Sequence, residues 1–198
     1  MTGNGSPIPW IARFCMAGNS DYTKHRPLRI IGTTAGQESP SQSLFELAMT
    51  RICTLSFAIE PLEKGAPALS IVPIVNEVRL TLMVEEFERE HNYEPAGGYA
   101  GLVPSAFNFG PLDHYFMAET RSEAYDKVSH YLLGCNCGEV GCWPLMARIT
   151  KGAQQILWNG FKQPFRPDRD YSSFGPFTFS VDQYRRTVIE LAAAFPEA

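Results

Sequence analysis

The chain predicts an α+β fold in which an antiparallel sheet, made of a hairpin plus a C-terminal meander, packs with two amphipathic helices. Three observations carry this expectation. A two-residue alternation runs cleanly from Thr54 to Glu60, three strand-like runs with turn residues between them succeed one another from 128 to 161, and a helical apolar period appears near residue 80 and again after residue 180.

Taken in order, residues 1–45 are rich in Gly, Pro, Ser, Thr and Asn, with apolar islands at Trp10, Ile11 and Phe14 and at Leu28, Ile30 and Ile31. They read as an irregular N-terminal arm, and 46–198 as one α+β domain. Ser43 precedes Leu44, Phe45, Leu47, Ala48 and Ile52, a spacing that suits a short helix. From Thr54 to Glu60, Leu55, Phe57 and Ile59 fall on one face, so a half-buried strand is expected, ended by Pro61. After a turn at Lys64-Gly65, Leu69 to Val75 reads as its hairpin partner. Pro73, which has no N–H to give, points to an edge position or a bulge.

Leu80, Met83, Val84 and Phe87 recur at helical spacing, while Glu85, Glu86, Glu88 and Glu90 read as the solvated face of a helix over 80–91. Residues 94–114 hold many Gly, Pro and aromatic residues and read as a long ordered loop. Val128 to Cys137, Cys142 to Thr150 and Gln154 to Phe161 form the meander, joined by turns at 138–141 and 151–152. Beyond a Pro-rich stretch at 164–177, Ser180 is placed to cap a helix with Gln183 reciprocating, and Val181, Tyr184, Val188 and Leu191 supply its apolar stripe.

The 198 residues carry 17 Lys and Arg against 21 Asp and Glu, a net charge of -4. That balance argues against general nucleic-acid binding, which needs cations to displace counterions from phosphates. No apolar run approaches the roughly 20 residues that cross a bilayer, and the N-terminus lacks a secretion pattern, so no membrane association and a cytoplasmic location are expected. Five cysteines are an odd number, which speaks against a full disulfide framework.

Three of those five stand in Gly134-Cys135-Asn136-Cys137-Gly138-Glu139-Val140-Gly141-Cys142-Trp143. With a four-residue turn at 138–141, Cys137 faces Cys142 across the hairpin and Cys135 shares their face, so all three sulfurs gather at its tip. Three readings stay open. Cys135, Cys137 and Cys142 hold zinc, the one cofactor the residues suggest, with a fourth ligand from His114, His91, Asp113, Cys15 or Cys53, since His130 points to the opposite face of its strand. Alternatively Cys137 and Cys142 form a redox pair, or the thiols are buried as small hydrophobes beneath neighbouring rings.

Leu132 to Leu145, followed by Trp158, Phe161-Lys162-Gln163-Pro164, Arg166 and Tyr171 to Phe179, resembles a family of small bacterial proteins that carry this cysteine hairpin. The likeness extends over roughly the last 150 residues. It takes in Val75-Asn76-Glu77, where the family has Asn-Gly, and the Gly97 to Leu102 loop. It implies no activity and no catalytic residues.

Other constellations are weaker. Trp158, Phe161, Lys162, Arg166, Arg169, Tyr171 and Phe174 interleave cations with rings, which suits base stacking or anion binding, although rings folded back over the sheet with Arg and Asp paired at the surface account for the same residues. Tyr99 and His114 join Trp158, Phe161, Arg166 and Tyr171 as candidate ligand-binding residues. The functional expectation is a noncatalytic module that binds a protein or small molecule through the aromatic loops 97–115 and 161–177, with self-association into a homo-oligomer left open. The alternative is an enzyme working through the thiol cluster or Asp113-His114; no P-loop, Rossmann glycine motif or nucleophile elbow is present.

Overall fold

A computed structural model of the chain describes residues 52–62, 67–106, 110–119 and 128–196. The expected arm, the residues from Ser43 that were to start a helix, and the Lys64-Gly65 turn lie outside the described residues. The elements are β1 (Ile52–Cys53), β2 (Leu55–Pro61), β3 (Leu69–Val75), β4 (Val78–Arg79), α1 (Leu80–Glu90), β5 (Tyr99–Ala100), α2 (Leu112–Phe116), β6 (His130–Cys135), β7 (Leu145–Lys151), β8 (Gln155–Lys162), β9 (Phe177–Ser180) and α3 (Val181–Ala193).

The α+β class holds, but the strands divide into two sheets rather than one. Six strands run in the order β1-β9-β8-β7-β6-β5, and the hairpin stands apart as β2-β3-β4. The second side of β3 is already occupied. Val75 and Val78 pair across a two-residue turn in which Asn76 and Glu77 both have positive φ, 48° and 67°, and Ile71 bridges to Leu102 in the 94–114 loop. Pro73 sits between these two attachments, so its missing N–H leaves a local edge unserved rather than breaking a ladder.

The meander grows in the other direction. Phe177–Ser180, which starts at the last residue of the stretch read as a Pro-rich connection and runs to the residue read as a helix cap, is a strand that pairs antiparallel with β8 and parallel with β1. Phe177, Thr178 and Phe179 are all buried, so β9 is covered on both faces; its Phe-Thr-Phe-Ser alternation spans only 4 residues, too short a run to mark a strand by itself.

Both helical stripes are buried as their periods require: Leu80, Met83, Val84 and Phe87 on α1, and Val181, Tyr184, Val188 and Leu191 on α3. The start of α3 differs from expectation. Ser180 precedes the first helical residue and ends β9 opposite Gln155, but makes no side-chain cap. Gln183 reaches instead to the free edge of β2, where its Nε2 donates to the Leu55 carbonyl at 2.6 Å and its Oε1 accepts the Leu55 N–H at 3.2 Å. Tyr184 joins three elements: its hydroxyl accepts from Trp158 Nε1 at 3.0 Å and donates to the Phe116 carbonyl at 2.8 Å.

Gly101 belongs to the loop that crosses β3. A Cβ there would lie 2.4 Å from the Ile71 carbonyl oxygen, so only glycine permits the bridge between Ile71 and Leu102. No described helix is long and apolar enough to cross a membrane.

Candidate metal centre and its buried support

The β6–β7 ladder stops earlier than the sequence suggests. Its last pair is Leu133 with Leu145, so residues 136–144 form a loop and Cys137 and Cys142 do not face each other as strand partners. Local hydrogen bonds turn the chain instead. Cys135 C=O accepts the Gly138 N–H at 2.9 Å, Glu139 C=O accepts the Cys142 N–H at 3.3 Å, and Gly138 takes φ +90° to allow the reversal. The loop reaches the expected result by this other route: the sulfurs of Cys135, Cys137 and Cys142 all lie within 4.8 Å of one another.

All three are free thiols, in different surroundings. Cys135 is buried at the end of β6, whereas Cys137 and Cys142 are exposed, which corrects the reading of three thiols buried beneath rings. Cys137 and Cys142 lie in the loop beyond the last β6–β7 pair, where the sheet does not cover them. Burial pushes the Cys135 thiol up to about 11. Cys137 moves below the ordinary thiol value, because the Cys135 thiol and then the Glu139 backbone N–H stabilise its anion, with Cys142 adding to the effect.

Among the described residues, no fourth His, Cys, Asp or Glu joins the three thiols. His130 lies at the far end of β6, opposite Ala147, packed edge-on against Tyr115 at 5.2 Å. His114 and Asp113 are on α2, where His114 is exposed. Cys53 is buried in β1. Cys15 lies outside the described residues.

Most of the candidate ligand-binding rings are core. Trp158 is fully buried against Phe179 and Tyr184, and Phe161 meets Phe174 and Phe177 edge-on. These positions correct their reading as a stacking surface: each ring fills the space between the large sheet and its cover. Tyr99 and Tyr171 are buried as well, but with their hydroxyls in a polar cluster that the sequence did not reveal.

That cluster centres on Glu88, which is 0% exposed and so overturns its place on the solvated face of α1. Its Oε1 accepts from Tyr99 at 2.7 Å and from Tyr171 at 2.5 Å, its Oε2 accepts the Gly97 N–H at 2.7 Å, and Arg169 Nη1 stands 3.2 Å from Oε1. Burial holds both phenols far above their ordinary range, so each remains a donor at neutral pH. A signal was there: Glu88 follows Val84 by four residues and Leu80 by eight, which puts it on the apolar stripe. Arg169 likewise corrects the surface pairing of Arg with Asp, since it turns inward to Glu88 while Asp170 accepts the Ser172 N–H at 2.8 Å.

The cluster reaches both ends of the thiol loop. Next to the Gly97 held by Glu88, Gly98 C=O accepts the Asn136 N–H at 3.0 Å, and Tyr99 pairs with Cys135 in the β5–β6 ladder. At the other end, Trp143 follows Cys142 and lies against two cations, with Arg166 Cζ 4.5 Å and Arg169 Cζ 5.5 Å from the centre of its ring. Two of the ligand-binding candidates therefore stand beside the thiol loop in the fold, Tyr99 through its pairing with Cys135 and Arg166 through the indole it covers. An open cleft of about 430 Å³ lined by Ile52, Gln154, Gln155, Ser180 and Asp182 contains none of the candidates.

No family model matches the chain, nor does any curated protein or solved structure.

Proposed function

We propose that the chain is a noncatalytic binding protein whose loop 135–142 takes up a thiophilic metal ion, zinc in the first instance. One observation carries this reading: three free thiols converge within 4.8 Å at the tip of a loop fixed at both ends. Zinc bonded to each sulfur at about 2.3 Å would set tetrahedral sulfurs about 3.8 Å apart, so side-chain rotations of the order of an ångström suffice to close the site. Sulfur donors suit zinc and other soft ions, and the ion's charge offsets the repulsion of three neighbouring thiolates.

The fourth position belongs to water or to a group brought by a partner, which gives the ion an open face. The inward packing of Trp158, Phe161 and Tyr171 favours the thiol loop over the aromatic loops as the binding face. Titration of the metal-free protein with Co²⁺ tests the reading. One equivalent should raise sulfur-to-cobalt charge-transfer absorption that Zn²⁺ then abolishes, and Cys137→Ser should weaken binding at least tenfold. A spectrum without charge-transfer bands would remove the proposal.

A further inference from the structure

The three thiols differ in the access that solvent has to them. Cys135 is 8% exposed at the end of a strand, and the strand holds it by its pairing with Tyr99. Cys137 and Cys142 stand free and exposed on the loop, with sulfurs no more than 4.8 Å apart. Between them lie only 138–141, including Gly138 and Gly141, and no ladder hydrogen bond fixes either cysteine. A disulfide needs its Cβ atoms about 3.8 Å apart, a distance such a turn can adopt without disturbing the sheet.

We propose that Cys137 and Cys142 are an oxidation-sensitive pair that closes to a disulfide under peroxide, leaves Cys135 reduced and so dismantles the three-thiol site. The thiolate of one exposed cysteine attacks hydrogen peroxide; an S–O bond forms, the O–O bond breaks and hydroxide leaves, giving a sulfenic acid. The second thiol attacks that sulfur, the S–S bond forms, and the sulfenic oxygen departs as water with the thiol's proton. Two thiols are oxidised by two electrons and one peroxide is reduced to two waters. The disulfide stands on the geometry of the pair alone; the release of an ion rests on the metal reading above.

The test treats the full chain, zinc-loaded and metal-free, with one equivalent of hydrogen peroxide, then counts thiols and maps the link by mass spectrometry. Two of the five thiols should be lost, with a single link between the peptides of Cys137 and Cys142, and the loaded form should yield its zinc to a chromogenic chelator. Cys135→Ser should keep the link and Cys142→Ser should abolish it. A link through Cys135, Cys15 or Cys53, or overoxidation of Cys137 with Cys142 still free, overturns the proposal. If the metal-free chain forms the link but no zinc ever binds, the metal reading alone fails; if zinc binds and the link never forms, the redox pair alone fails.

Discussion

Glu88 and Arg169 form an ion pair inside the protein, with Arg169 Nη1 3.2 Å from Glu88 Oε1 and their side chains 0% and 3% exposed, respectively. Charges that far from water are stable only together, because removing one partner strands the other without solvation. Arg169→Met or Glu88→Ala should each cost about 3–5 kcal/mol, and the double variant much less than their sum. Urea denaturation of the four proteins measures the coupling; additive losses would mean that each group is held by its other contacts. Tyr99, Tyr171 and Gly97 all bind the same carboxylate, so Glu88→Ala should be the more damaging single change.

Metal affinity at the thiol loop should rise with pH. Burial keeps the Cys135 thiol protonated until about pH 11, so an ion that bonds its sulfur at neutral pH must displace that proton. Cys137, shifted the other way, contributes less to the proton release near neutrality. Affinity should therefore increase about tenfold per pH unit for each proton released. Calorimetry in buffers of different ionisation enthalpy counts those protons, and a pH-independent constant would contradict the assignment of Cys135 as a ligand.

Gly101→Ala should destabilise the protein by about 2 kcal/mol or more, since the added methyl would sit 2.4 Å from the Ile71 carbonyl oxygen and neither backbone can yield without breaking the bridge at Leu102. A lowered urea midpoint with an unchanged slope is the expected result. An unchanged midpoint would mean that the loop rides freely over β3.

Glu77 occupies the second left-handed position of the β3–β4 turn, at φ 67°, where a side chain strains the backbone. Glu77→Gly should stabilise the fold by about 0.5–1 kcal/mol, the gain being reduced by glycine's greater freedom in the unfolded chain. Thermal denaturation measures the sign. Asn76→Gly should lose instead, because Asn76 Oδ1 accepts the Thr54 N–H at 2.8 Å and ties the turn to the start of β2.

Local periodicity was enough for much of this protein. The alternation at 55–59, the apolar stripes of α1 and α3 and the turn residues of the meander act over neighbouring positions, so β2, β3, β6, β7 and β8, the two long helices and the α+β class were legible in the sequence. The convergence of Cys135, Cys137 and Cys142 was legible too, because eight residues with two glycines can hardly keep three thiols apart, although the loop that brings them together is not the strand pairing their spacing suggested. What the sequence left open depended on residues distant in the chain. Whether Gln183 caps its own helix or serves the edge of β2, whether Phe177–Ser180 becomes a strand, and whether Glu88 faces water or Arg169 are decided by the packing of one element against another. A buried ion pair has no local periodicity of its own; only the tertiary structure, by closing the aromatic loop over α1, brings its two halves together.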